Sequence, residues 1–149
     1  MIVRRDRAMT AISVMLDIAF YASRSTTVSA AEIAERMGLA RRGMEPLLQT
    51  LSRAGLVDSV RGPRGGYRLG RPPRDIRLSE IVAVVLADDE DPPHLPSGRL
   101  HEAVTARLWQ ELDQGVRDRL QTQTLDDLLR MASAAGLRRP ASEPITFAI

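Results

Sequence analysis

The chain has 149 residues, 44% hydrophobic but only 3% aromatic, enough for one domain with an aliphatic core and a small appended oligomerisation element. It has no cysteine, which removes disulfides, thiolate redox centres and cysteine-ligated metals. The net charge of +2 conceals a division: residues 1–77 carry fourteen arginines against seven acids, and residues 78–149 carry seven against twelve.

A basic half beside an acidic half points to a polyanion partner for the first half only. All 21 basic residues are arginine, a side chain suited to bidentate phosphate and groove contacts. Codon bias accounts for the missing lysine but not for the asymmetry.

Arg4, Arg5 and Arg7 followed by the apolar run 8–16 outline a secretory leader. Asp17 breaks that run, however, and Ile12, Met15 and Ala19 recur at helical spacing, so a first helix is expected from about Arg7 to Ser23. No run approaches the roughly 18 apolar residues of a membrane span, and a soluble, cytoplasmic protein without membrane partners is expected.

Ser29 then stands three residues before Glu32, the capping-box spacing, and Gly38 is a helix stop. A third helix is predicted from about Arg42 to Ala54, with Met44, Leu47, Leu48 and Leu51 inward. Two short helices joined through a glycine form a helix–turn–helix, whose second member usually enters the major groove.

Two short β-prone runs, 56–60 and 67–69, flank Arg61-Gly62-Pro63-Arg64-Gly65-Gly66. Glycine supplies positive φ and proline presets φ near −65°, so the segment reads as a hairpin turn with a cationic tip. An arginine-tipped hairpin directly after a helix–turn–helix is a wing.

Leu78-Ser79-Glu80-Ile81 opens a fourth helix. Residues 88–98, rich in acids and prolines, read as a linker. A long helix from about Arg99 to Thr122 follows, with Leu100, Val104, Leu108, Trp109, Leu112 and Val116 on an apolar stripe; Gly115 is a candidate kink. At 1.5 Å per residue it is about 36 Å long, longer than the winged domain can cover. Its expected partner is the same helix of a second copy, as in common symmetric dimers; burial against the first helix is the alternative. A short helix at 125–134 is expected next.

The fold expected is mainly α with a small β-hairpin. A winged helix–turn–helix occupies residues 1–87, a linker 88–98, dimerisation helices 99–136, and a disordered tail 137–149.

Residues 59–82, SVRGPRGGYRLGRPPRDIRLSEIV, resemble the signature of the Rrf-two family of bacterial winged-helix regulators. The likeness extends to MLDIA (15–19), AEIAERMGL (31–39), SRAGLV (52–57), RLWQEL (107–112) and TLDDLL (124–129), covering about 130 residues. It implies a homodimer on double-stranded DNA, binding an imperfect palindrome through long helices that cross between subunits. It also implies that Glu45, near the start of the recognition helix, contacts base edges and that Arg61 enters the minor groove. A carboxylate can accept from cytosine N4, and a guanidinium suits a narrow, electronegative groove. Arg41, Arg42, Arg64 and Arg68 are read as phosphate contacts, which position without specifying.

Two departures from the family pattern matter. Pro46 directly follows Glu45, so either the helix starts later than Arg42 or its first turn is distorted. Cluster-binding members also place three cysteines and usually one more ligand between the fourth and the long helix, and the last cysteine and the histidine fall here on Ala103 and Ala106. Without thiolate an iron–sulfur cluster is excluded. Asp88, Asp89, Glu90, Asp91, His94, His101 and Glu102 match no compact metal-binding spacing, so no cofactor and no metal site are expected.

The sequence therefore reads as a sequence-specific transcriptional regulator, a repressor that occludes its promoter, with a small-molecule or protein effector left open. The rival is a winged-helix protein-interaction module. No nucleophile–base pair and no phosphate-binding loop is present, so an enzyme is not expected.

Overall fold

The structure, a computed structural model, describes residues 5–88 and 94–140. Helix α1 (Arg5–Tyr21) buries Ala11, Val14, Met15 and Ile18 completely. It starts and ends two residues earlier than its periodicity predicts, and of the apolar run Ala11, Val14 and Met15 enter the core while Met9 stays exposed. It packs against α4 (Leu78–Ala87) and α6 (Leu125–Ala134).

Helix α2 (Ala30–Met37) begins at the expected capping box: Glu32 N–H donates to Ser29 Oγ at 3.2 Å, and Ser29 N–H donates to Glu32 Oε2 at 2.7 Å. These bonds satisfy donors the helix leaves open at its start, and hold the Glu32 carboxyl below its ordinary range, the Ser29 backbone N–H being the largest cause. Gly38 ends α2 at φ 64°, a left-handed conformation that side chains resist. Helix α3 (Arg41–Arg53) then packs against α2 and α4 and buries Met44, Leu48 and Leu51.

Strands β1 (Val57–Val60) and β2 (Gly66–Leu69) form the two-stranded antiparallel hairpin, in the register Val57–Leu69 to Val60–Gly66. The hairpin is braced from outside. Val28 and Tyr67 exchange both backbone hydrogen bonds, at 3.0 and 2.7 Å, and Thr27 Oγ1 donates to Arg64 O at 3.0 Å. This contact explains the second glycine of the pair: a Cβ on Gly66 would lie 2.6 Å from the carbonyl oxygen of Val28.

A 3₁₀ turn at Pro73–Asp75 leads into α4, where Arg71 pairs with Glu80. The polypeptide is helical again from residue 99, but His101–Thr105 form a π-turn before α5 (Ala106–Thr122). The expected weak point, Gly115, lies within uninterrupted α-helix; the irregularity occurs ten residues or more upstream. Thr105 Oγ1 sits 2.7 Å from His101 Nδ1 within that π-turn.

The far end of α5 is tied to the foot of α4. Leu78 N–H donates to Gln123 O, Leu125 N–H to Ile76 O, and Arg77 Nη1 to Gln121 O at 2.6 Å. Thr124 and Asp127 form a second capping box at the start of α6. Within the segment read as a tail, residues 137–140 are described, and Arg139 Nη2 donates to Ala19 O at 2.7 Å at the C-terminus of α1. That terminus carries no basic residue of its own, and a cation there meets its open carbonyls. The rest of the expected tail, 141–149, lies outside the described residues, as do 89–93 of the linker.

Candidate nucleic-acid interface

Helix α3 places Arg41, Arg42, Glu45, Gln49 and Arg53 on the side opposite Met44, Leu48 and Leu51, all five exposed. The spacing 42, 45, 49, 53 follows one face of an α-helix. Pro46 sits in the second turn of a helix that starts at Arg41, so the proline has not delayed the start. Its missing N–H leaves the Arg42 carbonyl without its helical donor. Ala40, at the N-cap, supplies no side-chain acceptor, and the buried Met44 and Leu48 hold this turn down. Arg41 Nε lies 3.8 Å from Glu45 Oε1, an exposed pair across one turn.

The wing presents Arg61 and Arg64 at its tip, both exposed and, among the described residues, neither with a side-chain partner. Gly65 N–H donates to Gly62 O at 2.8 Å, closing the turn between them. Arg68 is differently employed. Its Nη1 donates to Arg24 O at 3.0 Å and its Nε lies 3.8 Å from Asp58 Oδ2 on the paired strand, so it fastens the hairpin to the α1–α2 connection. Arg36 is likewise engaged, forked onto Asp17 at 2.7 and 2.9 Å and lying over the Tyr21 ring.

Between α3 and the hairpin runs an open groove of about 340 Å³ lined by Gln49, Ser52, Arg53, Ser59 and Tyr67. Gln49 belongs to no sequence motif, and the one signal for it is its place four positions after Glu45 on the same face.

Thr50, on the flank of α3, is only 8% exposed and is the one buried polar residue among those described. Its hydroxyl donates to Asp88 Oδ2 at 2.6 Å, while Pro46 O lies 3.1 Å away as a second acceptor. Arg53 Nη2 is 3.6 Å from the same Asp88 oxygen. Asp88, the residue that caps the C-terminus of α4, is thereby joined to α3.

The stripe on and before α5 faces outward. Leu100 is 83% exposed, Val116 41%, and Val104, Leu108, Trp109 and Leu112 fall between. None of it is buried against α1, the intramolecular alternative; only Leu120, further along, packs on the core.

Ala103 falls in the π-turn and Ala106 opens α5. Neither offers a ligand, the chain holds no thiolate, and no group of three metal-binding side chains occurs among the described residues. The donor set does not fit an iron–sulfur cluster. No helix among the described residues is long and apolar enough to cross a membrane.

A helix–turn–helix followed by a braced, arginine-tipped hairpin defines a winged-helix DNA-binding transcriptional regulator. Comparison with known proteins agrees. The family model Rrf2, described as an iron-dependent transcriptional regulator, matches residues 5–131, and the chain belongs to that family. It is 36% identical over 125 residues to the HTH-type transcriptional regulator IscR of Vibrio atlanticus (strain LGP32), spanning 80% of this chain and 70% of the relative. Among solved structures it is similar to IscR of T. potens, with a TM-score of 0.69, 33% identity and 90% of each chain covered. CymR, the global cysteine regulator of B. subtilis, superposes with a TM-score of 0.65 at 27% identity, covering 84% of this chain and 94% of that one.

Proposed function

We propose that this regulator acts as a homodimeric repressor on an imperfect palindrome, without an iron–sulfur cluster. The observation that carries it is the joint presentation of the outward face of α3 and, at the tip of the adjoining hairpin, of the exposed Arg61 and Arg64, which have no side-chain partner among the described residues. In use, α3 lies in the major groove, with Arg41 and Arg42 on phosphates and Glu45 toward base edges. Arg61 reaches the adjoining minor groove and Arg64 the backbone. Arg68, already bonded to Arg24 O, serves here by stiffening the wing rather than by contacting phosphate.

The apolar stripe Leu100, Val104, Leu108, Trp109, Leu112 and Val116 supports dimerisation, since such a contiguous surface on a soluble monomer marks an interaction site. Two copies related by a twofold axis place two recognition helices on half-sites of matching symmetry. A dimer seated across a promoter blocks polymerase by occupancy. Its level of control is open to a small-molecule or protein effector.

A fluorescence titration against duplex fragments from the neighbourhood of the protein's own gene, repeated over a salt series, tests the proposal. Affinity should fall linearly in log salt with a slope set by the number of phosphates neutralised. A flat salt response would favour a protein-docking role for the winged domain.

A further inference from the structure

The proposed DNA contacts are mostly charges, and charges on phosphates fix register without reading sequence. Which side chain reads is a separate question, and one residue on the face of α3 differs in kind from its neighbours. Gln49 is the sole carboxamide in residues 1–109, and the whole chain contains no asparagine.

Its position is central. Glu45 precedes it by one turn, Arg53 follows by one turn, and the buried Met44, Leu48 and Leu51 lie on the opposite side of the helix. Its chemistry is uncommitted. The Glu45 carboxylate faces Arg41 at 3.8 Å and Arg53 is drawn toward Asp88 at 3.6 Å. The Gln49 amide makes no hydrogen bond among the described residues. It lines the groove with Ser52 and Ser59, whose hydroxyls both donate and accept and so add no charge preference.

A side-chain amide offers a donor and an acceptor side by side. That pair matches N7 and N6 of adenine on the major-groove edge. We propose that Gln49 is the principal specificity-determining residue, taking one adenine in each half-site by a bidentate amide contact. The inference rests on the DNA-binding function proposed above and deepens it.

The test uses the full chain and duplexes selected from a randomised pool. Wild type should enrich a site with an invariant A·T pair in each half. Gln49→Ala should lose the preference at that pair alone and bind the selected site about 5- to 150-fold more weakly, the range for one bidentate contact. Binding to random duplex should be unchanged, which a folding defect in this exposed position would not allow. Gln49→Glu should move the preference toward C·G, because a carboxylate accepts from cytosine N4. Replacing the adenine by 7-deaza-adenine, which lacks the N7 acceptor, should weaken wild type and leave Gln49→Ala unaffected. If Gln49→Ala enriches the same site as wild type, or if 7-deaza-adenine weakens both equally, the assignment is wrong. If wild type enriches no sequence at all, sequence-specific binding itself fails and the assignment with it.

Discussion

Replacing Thr50 by valine removes one hydroxyl and little volume, and it tests whether the linker's first residue holds the recognition helix. The hydroxyl donates to Asp88 Oδ2 at 2.6 Å from a site only 8% exposed. A hydrogen bond to a charged acceptor contributes about 1.5–3 kcal/mol. The Asp88 side chain is 48% exposed, so water replaces part of what valine takes away. The expected loss for Thr50→Val is therefore about 1 kcal/mol. Asp88→Ala leaves the hydroxyl buried with Pro46 O at 3.1 Å as its fallback, and should cost a similar amount. The Arg53 contact adds little, because that side chain is mostly in water. The two losses should not add: a double-mutant cycle by urea unfolding at fixed protein concentration should return a coupling of about 1 kcal/mol. In a chain of this size that corresponds to roughly 2–4 °C in Tm. A coupling below about 0.3 kcal/mol, within ordinary additivity, would mean that Asp88 does not hold α3.

Arg61→Ala should weaken binding to the selected site by about 1–3 kcal/mol, by fluorescence titration, whereas Arg68→Ala should act chiefly on thermal stability. Leu108→Asp with Leu112→Asp places charges in the exposed stripe of α5 and should shift sedimentation from dimer to monomer while helical circular dichroism is kept. Gly66→Ala forces a Cβ to within 2.6 Å of Val28 O and should lower the melting temperature, because backbone on both sides must move. Glu32 has a folded pKa below its ordinary 4.5, so its contribution is present above that value and is lost as pH falls through the lowered one. Glu32→Gln should accordingly flatten the acid limb of stability against pH while leaving the neutral region nearly level.

What was legible in the sequence was local. Ser29 and Glu32 stand at a fixed spacing, Gly38 is a stop, and glycine and proline between two β-prone runs make a turn, so α2 and the wing were predictable within a residue or two. The outward stripe on α5 was legible for the same reason, as a period of four. What escaped notice depends on residues far apart in the chain. Nothing near Thr50 announces Asp88, 38 positions on, and nothing in the tail announces that Arg139 would close the end of α1. Arg68 shows the limit from the other direction: an arginine in a wing suggests phosphate, and nothing local announces its contacts with Asp58 across the hairpin and with Arg24. The π-turn at His101–Thr105 left no mark, since it contains neither glycine nor proline, while Gly115, the residue propensity singled out, stays within regular helix.

The contacts that clamp the wing, Val28 with Tyr67 on one strand and Thr27 with the carbonyl of Arg64 at the bend, bear on how fast and how tightly a duplex can be held. Fixing a backbone residue costs about 1–2 kcal/mol of conformational entropy. A loop that froze only on contact would subtract that cost from every complex it joined. Here the fold has met it in advance, so that in the binding mode proposed above Arg61 and Arg64 would come to a duplex on a frame with little left to order.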